Sequence, residues 1–206
     1  MTAGYAPSLA FRERSVYRKA QRAFDLCVST AALVISTPVL LLAIVAIALE
    51  DGTPVLFRQR RVGRFGRLFT IYKLRTMRRD RCEDALSPQS SIDARVTRVG
   101  RFLRRTSIDE LPQFVNVLRG DMAVVGPRPE MPFVVNTRYE PWQHLRHLAK
   151  PGITGLWQTT CRSEIALHDP AATQIDLRYL EAASLRTDSI IVLQTFRMLV
   201  LGRGAY

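Results

Sequence analysis

The chain has 206 residues, 47% of them hydrophobic, and a formal net charge of +12. That is enough for one domain with a real core, and it excludes a disordered or collagen-like chain. Residues 1–110 hold 20 Lys/Arg against 10 Asp/Glu and residues 111–206 hold 10 against 8. The positive field therefore belongs to the N-terminal half and suits an anionic partner: nucleic acid, lipid head groups or a phosphorylated substrate.

Residues 1–22 form a basic N-terminal segment, and RERSVYRKAQRAF (12–24) reads as a basic amphipathic approach to an anionic surface. Residues 23–50 follow, uncharged from Leu26 to Leu49. That run is long enough to cross a hydrocarbon core of ~30 Å at ~1.5 Å per residue. It begins too far in, and runs too long, for a cleavable signal. Two features argue against a plain spanning helix. Arginine and lysine crowd both flanks (Arg12, Arg14, Arg18, Lys19 and Arg22 before; Arg58, Arg60, Arg61, Arg64 and Arg67 after), where a spanning helix carries its excess on one side. Pro38 also interrupts the run after Ser36 and Thr37, whose hydroxyls can satisfy carbonyls freed by the proline. Residues 26–37 make a helix of about 18 Å, roughly half the apolar thickness. A re-entrant helix kinked at Pro38 explains both features; a spanning helix and a buried soluble helix are the alternatives.

Residues 51–206 read as a cytosolic domain. Gly52-Thr53-Pro54 is a turn signal, and the runs 54–59 and 68–74, broken by Gly63 and Gly66, predict a β-hairpin with projecting basic side chains. Residues 79–92 form a polar connection. In RVTRVGRFLRR, 95–105, Val96, Val99, Phe102 and Leu103 fall at helical spacing with arginines between them. His144 and His147 stand at i, i+3 but have no acidic partner at metal-ligand spacing, so surface or interface histidines are the simpler reading. Cys27, Cys82 and Cys161 are odd in number and widely spaced, arguing for a reducing compartment and against a disulfide framework.

The stretch TSIDELPQFVNVLRGDM, 106–122, sets Asp109 beside Glu110 just before Pro112. With Ser107 as helix N-cap, Pro112 would fall where a backbone N–H is needed. With Asp109 as N-cap, it falls among positions whose N–H has no intrahelical acceptor, and the helix end keeps the Asp109 carboxylate ionised. Leu111, Phe114, Val115 and Leu118 then supply the buried face. Asp109 is then either a plain cap or a reactive group; arginines and an apolar segment nearby suit a phosphorylated substrate. An ionised Asp there would attack phosphorus beside an acid that holds a divalent cation.

KLRTM (73–77), TRVGRFLRRTSIDELPQFVNVLRGDMAVVGPRPE (97–130) and KPGITGLWQ (150–158) together resemble the bacterial sugar transferase family, the monotopic polyprenyl-phosphate phosphoglycosyl transferases. The resemblance extends from about Arg18 to the C-terminal GRGAY. It implies an α+β, mostly α fold: a re-entrant membrane helix kinked at Ser36-Thr37-Pro38, and a compact helical domain with a small hairpin at the membrane interface. It implies transfer of a sugar 1-phosphate from a UDP-sugar to polyprenyl (undecaprenyl) phosphate with release of UMP, the first membrane step of exopolysaccharide, O-antigen or glycoconjugate synthesis. Asp109 would be the nucleophile of a covalent route, Glu110 its metal-side partner and Mg²⁺ the cofactor. Arg128, in GPRPE, would present a guanidinium to phosphate or nucleotide. Asp188 aligns with a position linked to the metal site, although the preceding Glu181-Ala-Ala-Ser184 departs from the family pattern. Lys73, Arg75 and Arg105 would serve substrate phosphates or lipid head groups.

The resemblance further implies the cytoplasmic face of the bacterial inner membrane and contact with anionic lipids. Larger members carry a multi-span N-terminal region, so this chain resembles a catalytic unit alone. KPGITG reads as a turn, and residues 173–200 as helix across the membrane-facing base. A non-catalytic anchor and a basic nucleic-acid module are the competing classes. No nucleic acid is expected, since no helix-turn-helix or RNP motif accompanies the arginines. The donor sugar and the oligomeric state, monomer or homo-oligomer, are not written in these motifs.

Overall fold

The computed structural model describes residues 15–78, 93–161 and 164–201. The polar connection 79–92, Cys82, the first fourteen residues and GRGAY lie outside the described residues. The chain begins with one helix, α1 (Ser15–Asp51), that runs through Pro38. A hairpin follows, β1 (Leu56–Val62) against β2 (Leu68–Leu74), antiparallel, with Val62 opposite Leu68 and Phe57 opposite Lys73. Its turn places Phe65 and Gly66 at positive φ, which lets a short link reverse the strand. The expected hairpin is present, with β1 continuing three residues beyond the run read as strand.

The rest is mostly helical: α2 (Arg98–Arg105), α3 (Gln113–Arg119), α4 (Pro132–Arg138), a 3₁₀ segment Pro141–Leu148, α5 (Leu156–Thr160), α6 (Pro170–Ala182) and α7 (Leu185–Val200). A second, parallel pair joins β3 (Ala123–Val125) to β4 (Gly152–Thr154). KPGITG is therefore not merely a turn. Its Gly152 is a strand residue because the backbones approach closely: a methyl group there would lie 2.2 Å from Gly126 N. Residues 173–200 divide into α6 and α7 at Ser184, whose hydroxyl accepts from Thr187 N and caps α7.

The main core gathers Val117, Met122, Val124, Val125, Leu177, Tyr179, Leu180 and Ile191 from α3, β3, α6 and α7. A smaller cluster joins Ala43 and Ile47 of α1 to Leu74 and Leu103. Both ends of α1 are thus held by the same body. Near its start, Arg22 donates to Val117 O and Leu118 O at 2.6 and 2.7 Å, and Asp25 accepts from Val124 N at 2.8 Å. At its end, the Glu50 carboxylate accepts from Arg98 N and Val99 N at 2.8 and 2.9 Å, covering orphan donors of α2.

Over residues 30–42 no side chain of the helix is buried. Ile35 is 77% exposed and Leu42 72%. By length and composition α1 is able to cross a membrane. Pro38 denies Val34 O its amide donor; the Ser36 and Thr37 hydroxyls both turn to the neighbouring Leu33 O, at 3.4 and 2.7 Å.

Candidate active site

The acid pair lies in a single 3₁₀ turn, Ile108–Glu110, between α2 and α3. The expected N-cap at Asp109 is not observed. Pro112 has no N–H to offer, so the chain advances by i→i−3 bonds, Leu111 N to Ile108 O and Phe114 N to Leu111 O, and α3 starts only at Gln113. Ser107 enters the turn at φ 55°, a left-handed conformation unusual for a side-chain-bearing residue. Such a conformation costs about 1–3 kcal/mol and persists only where the surroundings enforce it.

The buried face of α3 also differs from the expected apolar one. Gln113, Asn116 and Val117 are buried, while Leu111, Phe114, Val115 and Leu118 are only partly so. Asn116 explains this. Its Nδ2 donates to Thr70 O at 2.7 Å and its Oδ1 accepts from Tyr72 N at 3.1 Å, so it continues the hydrogen bonding of β2. A polar side chain at the centre of α3 thereby sets the helix against the strand that carries Lys73.

Lys73 Nζ stands 2.8 Å from Glu110 Oε1. The same oxygen accepts from Arg128 Nη2 at 2.6 Å, and Arg128 Nη1 reaches Glu110 Oε2 at 3.4 Å. The loop carrying Arg128 is held from several sides. Arg146 Nη2 donates to Arg128 O at 3.0 Å, and Arg146 is itself paired with Asp176 at 2.5 Å and bonded to the Tyr139 hydroxyl. Arg61 donates to Pro129 O at 3.3 Å and faces Glu130 at 3.6 Å, while Val62 N donates to Glu130 O at 3.0 Å. Proline on either side of Arg128 and these four contacts fix the guanidinium before any substrate arrives.

Asp109 is 7% exposed. Burial pushes its carboxyl up to about 6; Lys73 opposes the rise, Glu110 adds to it, and Arg104 and Arg128 oppose it again. The environment does not hold this acid low, as a helix N-terminus would have done. Lys73 is pushed down by burial, with the Glu110 carboxylate resisting. Arg128 is raised in spite of its burial by Glu110.

Lys73, the Asp109–Glu110 pair and Arg128 are therefore brought together from three separate stretches of sequence. Three expected site residues are not. Arg75 is committed to the end of α1, donating to Asp51 O and Gly52 O at 2.8 and 2.7 Å and pairing with the Asp51 carboxylate at 3.2 Å. Arg105 lies exposed at the end of α2. One step back along that helix, Arg104 faces inward, donates to Thr76 Oγ1 at 2.8 Å and exerts its charge on Asp109. Asp188 sits in the first turn of α7 and accepts from the Tyr17 and Tyr179 hydroxyls, each at 2.8 Å, and from Gln21 at 3.4 Å. That network ties α7 to α1, whereas Glu110 is engaged by Lys73 and Arg128.

Sequence does not single out Asn116 or Arg146, and it shows Arg104 only as one of the arginines of 95–105. NVLRGDM and the arginine run were visible, but only the fold shows which side chain points inward. His144 and His147 pack around Tyr139, with the His147 ring stacked on it. Burial, and then Arg146, pushes His147 down to about 4. Among the described residues, no group of three or more His, Cys, Asp or Glu is placed to hold a metal. Mg²⁺ characteristically takes one or two carboxylates and completes its shell with water and substrate phosphate. Asp109 and Glu110 are carboxylate donors of the type such an ion takes.

The chain belongs to the bacterial sugar transferase family, whose model matches residues 16–202. It is 39% identical over 194 residues to a UDP-N-acetylgalactosamine-undecaprenyl-phosphate N-acetylgalactosaminephosphotransferase of Aeromonas hydrophila, covering 92% of this chain and 46% of that protein. It is 41% identical over 198 residues to an undecaprenyl-phosphate glucose phosphotransferase of Komagataeibacter xylinus, covering 90% and 37%. The exopolysaccharide production protein ExoY of Rhizobium meliloti is 35% identical over 214 residues, covering 94% and 91%. The chain thus spans less than half the length of the first two relatives and matches nearly all of the third.

Proposed function

We propose that this chain is a polyprenyl-phosphate sugar-1-phosphate transferase working at a membrane surface. The single observation that carries the reading is a buried carboxylate, Asp109, beside a second acid already gripped by two cations. Phosphoryl transfer is chiefly a matter of positioning and charge stabilisation, and this arrangement offers both. The relatives named above supply the substrate class, an undecaprenyl phosphate and a nucleotide sugar.

In the first step an Asp109 carboxylate oxygen attacks the sugar-bearing phosphorus of a UDP-sugar. A bond forms between that oxygen and phosphorus, the phosphoanhydride bond breaks, and its electron pair leaves with UMP. In the second step an oxygen of polyprenyl phosphate attacks the same phosphorus and restores the Asp109 carboxylate. Lys73, Arg104 and Arg128 offset the repulsion between the carboxylate and the phosphate oxygens. Asp109 and Glu110 would hold Mg²⁺, which when bound neutralises phosphate charge.

The acceptor is lipid-borne and the donor is water-borne, so the site must lie at an interface. The bare middle of α1, whose two ends return to one body, supports a re-entrant anchor bent near Pro38. Exposed Leu193, Phe196 and Val200 share one face of α7 and extend the apolar surface. The arginines on both flanks of the apolar run support a place at the cytoplasmic face of the inner membrane. The test is UMP release by the purified chain in nanodiscs with Mg²⁺, polyprenyl phosphate and a panel of UDP-sugars. Release with at least one donor, dependent on Asp109, is expected; absence of release with every donor tried, in protein that is folded and lipid-embedded, contradicts the reading.

A further inference from the structure

A cavity of 170 Å³ lies between the first half of α1, the tip of the β1–β2 hairpin and residues 148–150. None of Lys73, Asp109, Glu110 or Arg128 lines it. Four cations do: Arg18, Arg22, Arg64 and Lys150. The carboxylate among its lining residues is Asp25, whose Oδ1 is taken by Val124 N at 2.8 Å.

Among the described residues, the buried cations elsewhere are matched by acids, whereas half-buried Arg104 is held by Thr76. Lys73 and Arg128 face Glu110, Arg75 faces Asp51, Arg61 faces Glu130 and Arg146 faces Asp176. Among the described residues, Arg22, Arg64 and Lys150 have no ion pair. Arg22 is fixed by the carbonyls at the end of α3, and Arg64 by Leu148 O at 3.0 Å. These bonds hold the guanidinium groups in place without cancelling their charge. A methyl group at Gly120 would lie 3.6 Å from Lys150 Nζ and 3.9 Å from Arg22 Nη2, so those two cations flank one point. Burial and then Arg22 push Lys150 down, with Arg64 adding to the effect and Asp25 opposing it. Burial and then Arg18 push Arg64 down. Like charges held together in a partly enclosed space are costly unless an anion joins them.

We propose that this cavity is an anion site, separate from the acid pair, that takes a phosphate group. Its wall is α1 over residues 17–25, immediately before the uncharged run. With α1 entering a membrane, the cavity lies at head-group depth, and the phosphate of an anionic lipid is in reach. A water-borne phosphate ester offers the same chemistry. The membrane placement bears only on the source of the phosphate; the site itself stands on the unmatched cations and the cavity.

The test follows the unfolding midpoint of the full chain in dodecyl maltoside micelles. One arm adds inorganic phosphate against chloride at equal ionic strength. The other adds phosphatidylglycerol against phosphatidylcholine. The wild type is expected to gain several degrees from at least one phosphate probe. That gain should vanish in Lys150→Met, shrink in Arg64→Gln and persist in Arg128→Gln, which alters the cluster around the acid pair. A gain from phosphatidylglycerol alone identifies a lipid head group; a gain from both probes shows that phosphate suffices. Should Lys150→Met fail to fold, Arg64→Gln makes the same comparison. No gain with either probe overturns the proposal. So does a gain undiminished in every folded cavity variant, or one lost only in Arg128→Gln, whether or not the chain proves to transfer sugar phosphate.

Discussion

Lys73 Nζ lies 2.8 Å from Glu110 Oε1, joining the end of a hairpin strand to the turn that also carries Asp109. The contact makes Lys73 a charge partner of both acids, because the two carboxylates are consecutive. Replacing Lys73 by Met takes one cation from Glu110, leaves its pair with Arg128, and removes the largest favourable charge on Asp109. Activity is expected to fall by roughly 10²–10³-fold, in the range seen when one preorganised charge-stabilising donor is lost. Arg75→Gln is expected to act differently. It frees the end of α1 and lowers the unfolding midpoint, while the turnover of the remaining folded protein stays close to wild type. Steady-state kinetics beside thermal unfolding separates the two.

The Asp109 carboxyl, raised by burial to about 6, sets a pH dependence. A nucleophilic carboxylate must be ionised, so kcat/KM should decline as pH falls through about 6 and level off above 7. The stability effect has the opposite sign. A carboxyl with a raised folded pKa binds its proton more tightly in the folded state, so its favourable contribution is present below about 4 and is lost as pH rises to about 6. Asp109→Asn should therefore be more stable than wild type at pH 7.5, by about 1–3 kcal/mol, while inactive. Denaturant unfolding in micelles at pH 5 and 7.5 checks this, with the gain expected to shrink at the lower pH.

Arg146 and Asp176 form a nearly inaccessible pair at 2.5 Å beneath the Arg128 loop. Arg146→Met leaves a buried carboxylate without its cation and should cost about 3–5 kcal/mol. The double variant Arg146→Met/Asp176→Leu should recover most of that loss. Activity should not return to the same degree, because the Arg128 carbonyl still lacks its donor. A double-mutant cycle read by both unfolding and turnover tests the separation.

Much of this molecule was legible in its sequence, and for particular reasons. The hairpin followed from two apolar runs around Gly63 and Gly66, and the apolar helix from an uncharged stretch that no soluble surface needs. The acid pair stood out because it was anomalous in a basic chain. The β3–β4 pair was not legible: two three-residue strands are too short for a period, and their pairing rests on the close approach of Gly126 and Gly152. Asn116 was hidden because a buried polar residue on a helix contradicts the apolar pattern unless its strand partner is known. Arg104 and Arg105 are adjacent in sequence, and the 100° step between them is settled only by how α2 docks.

Asn116→Ala tests that docking. It removes the bonds to Thr70 O and Tyr72 N and leaves a strand carbonyl and amide unsatisfied. The expected loss is about 1–3 kcal/mol, with kcat falling more than KM rises, since β2 would shift Lys73 relative to Glu110.

The anchor has its own test in the cysteines. Cys27 is exposed near the start of the apolar run, and Leu49, also exposed, lies near its end. In a Cys82→Ser/Cys161→Ser background, Cys27 and a thiol introduced by Leu49→Cys should both react with a membrane-impermeant maleimide from the cytoplasmic side. Labelling from opposite sides would show a spanning helix. Replacing Pro38 by Leu should shift the population toward that second pattern.

A covalent bond between Asp109 and phosphorus is visible to intact-mass spectrometry. Protein incubated with Mg²⁺ and a UDP-sugar, without polyprenyl phosphate, should gain the mass of one sugar phosphate. The adduct should map to Asp109, be absent from Asp109→Asn and disappear when polyprenyl phosphate is added. Full turnover by Asp109→Asn, with deamidation and contaminating enzyme excluded, would contradict the account.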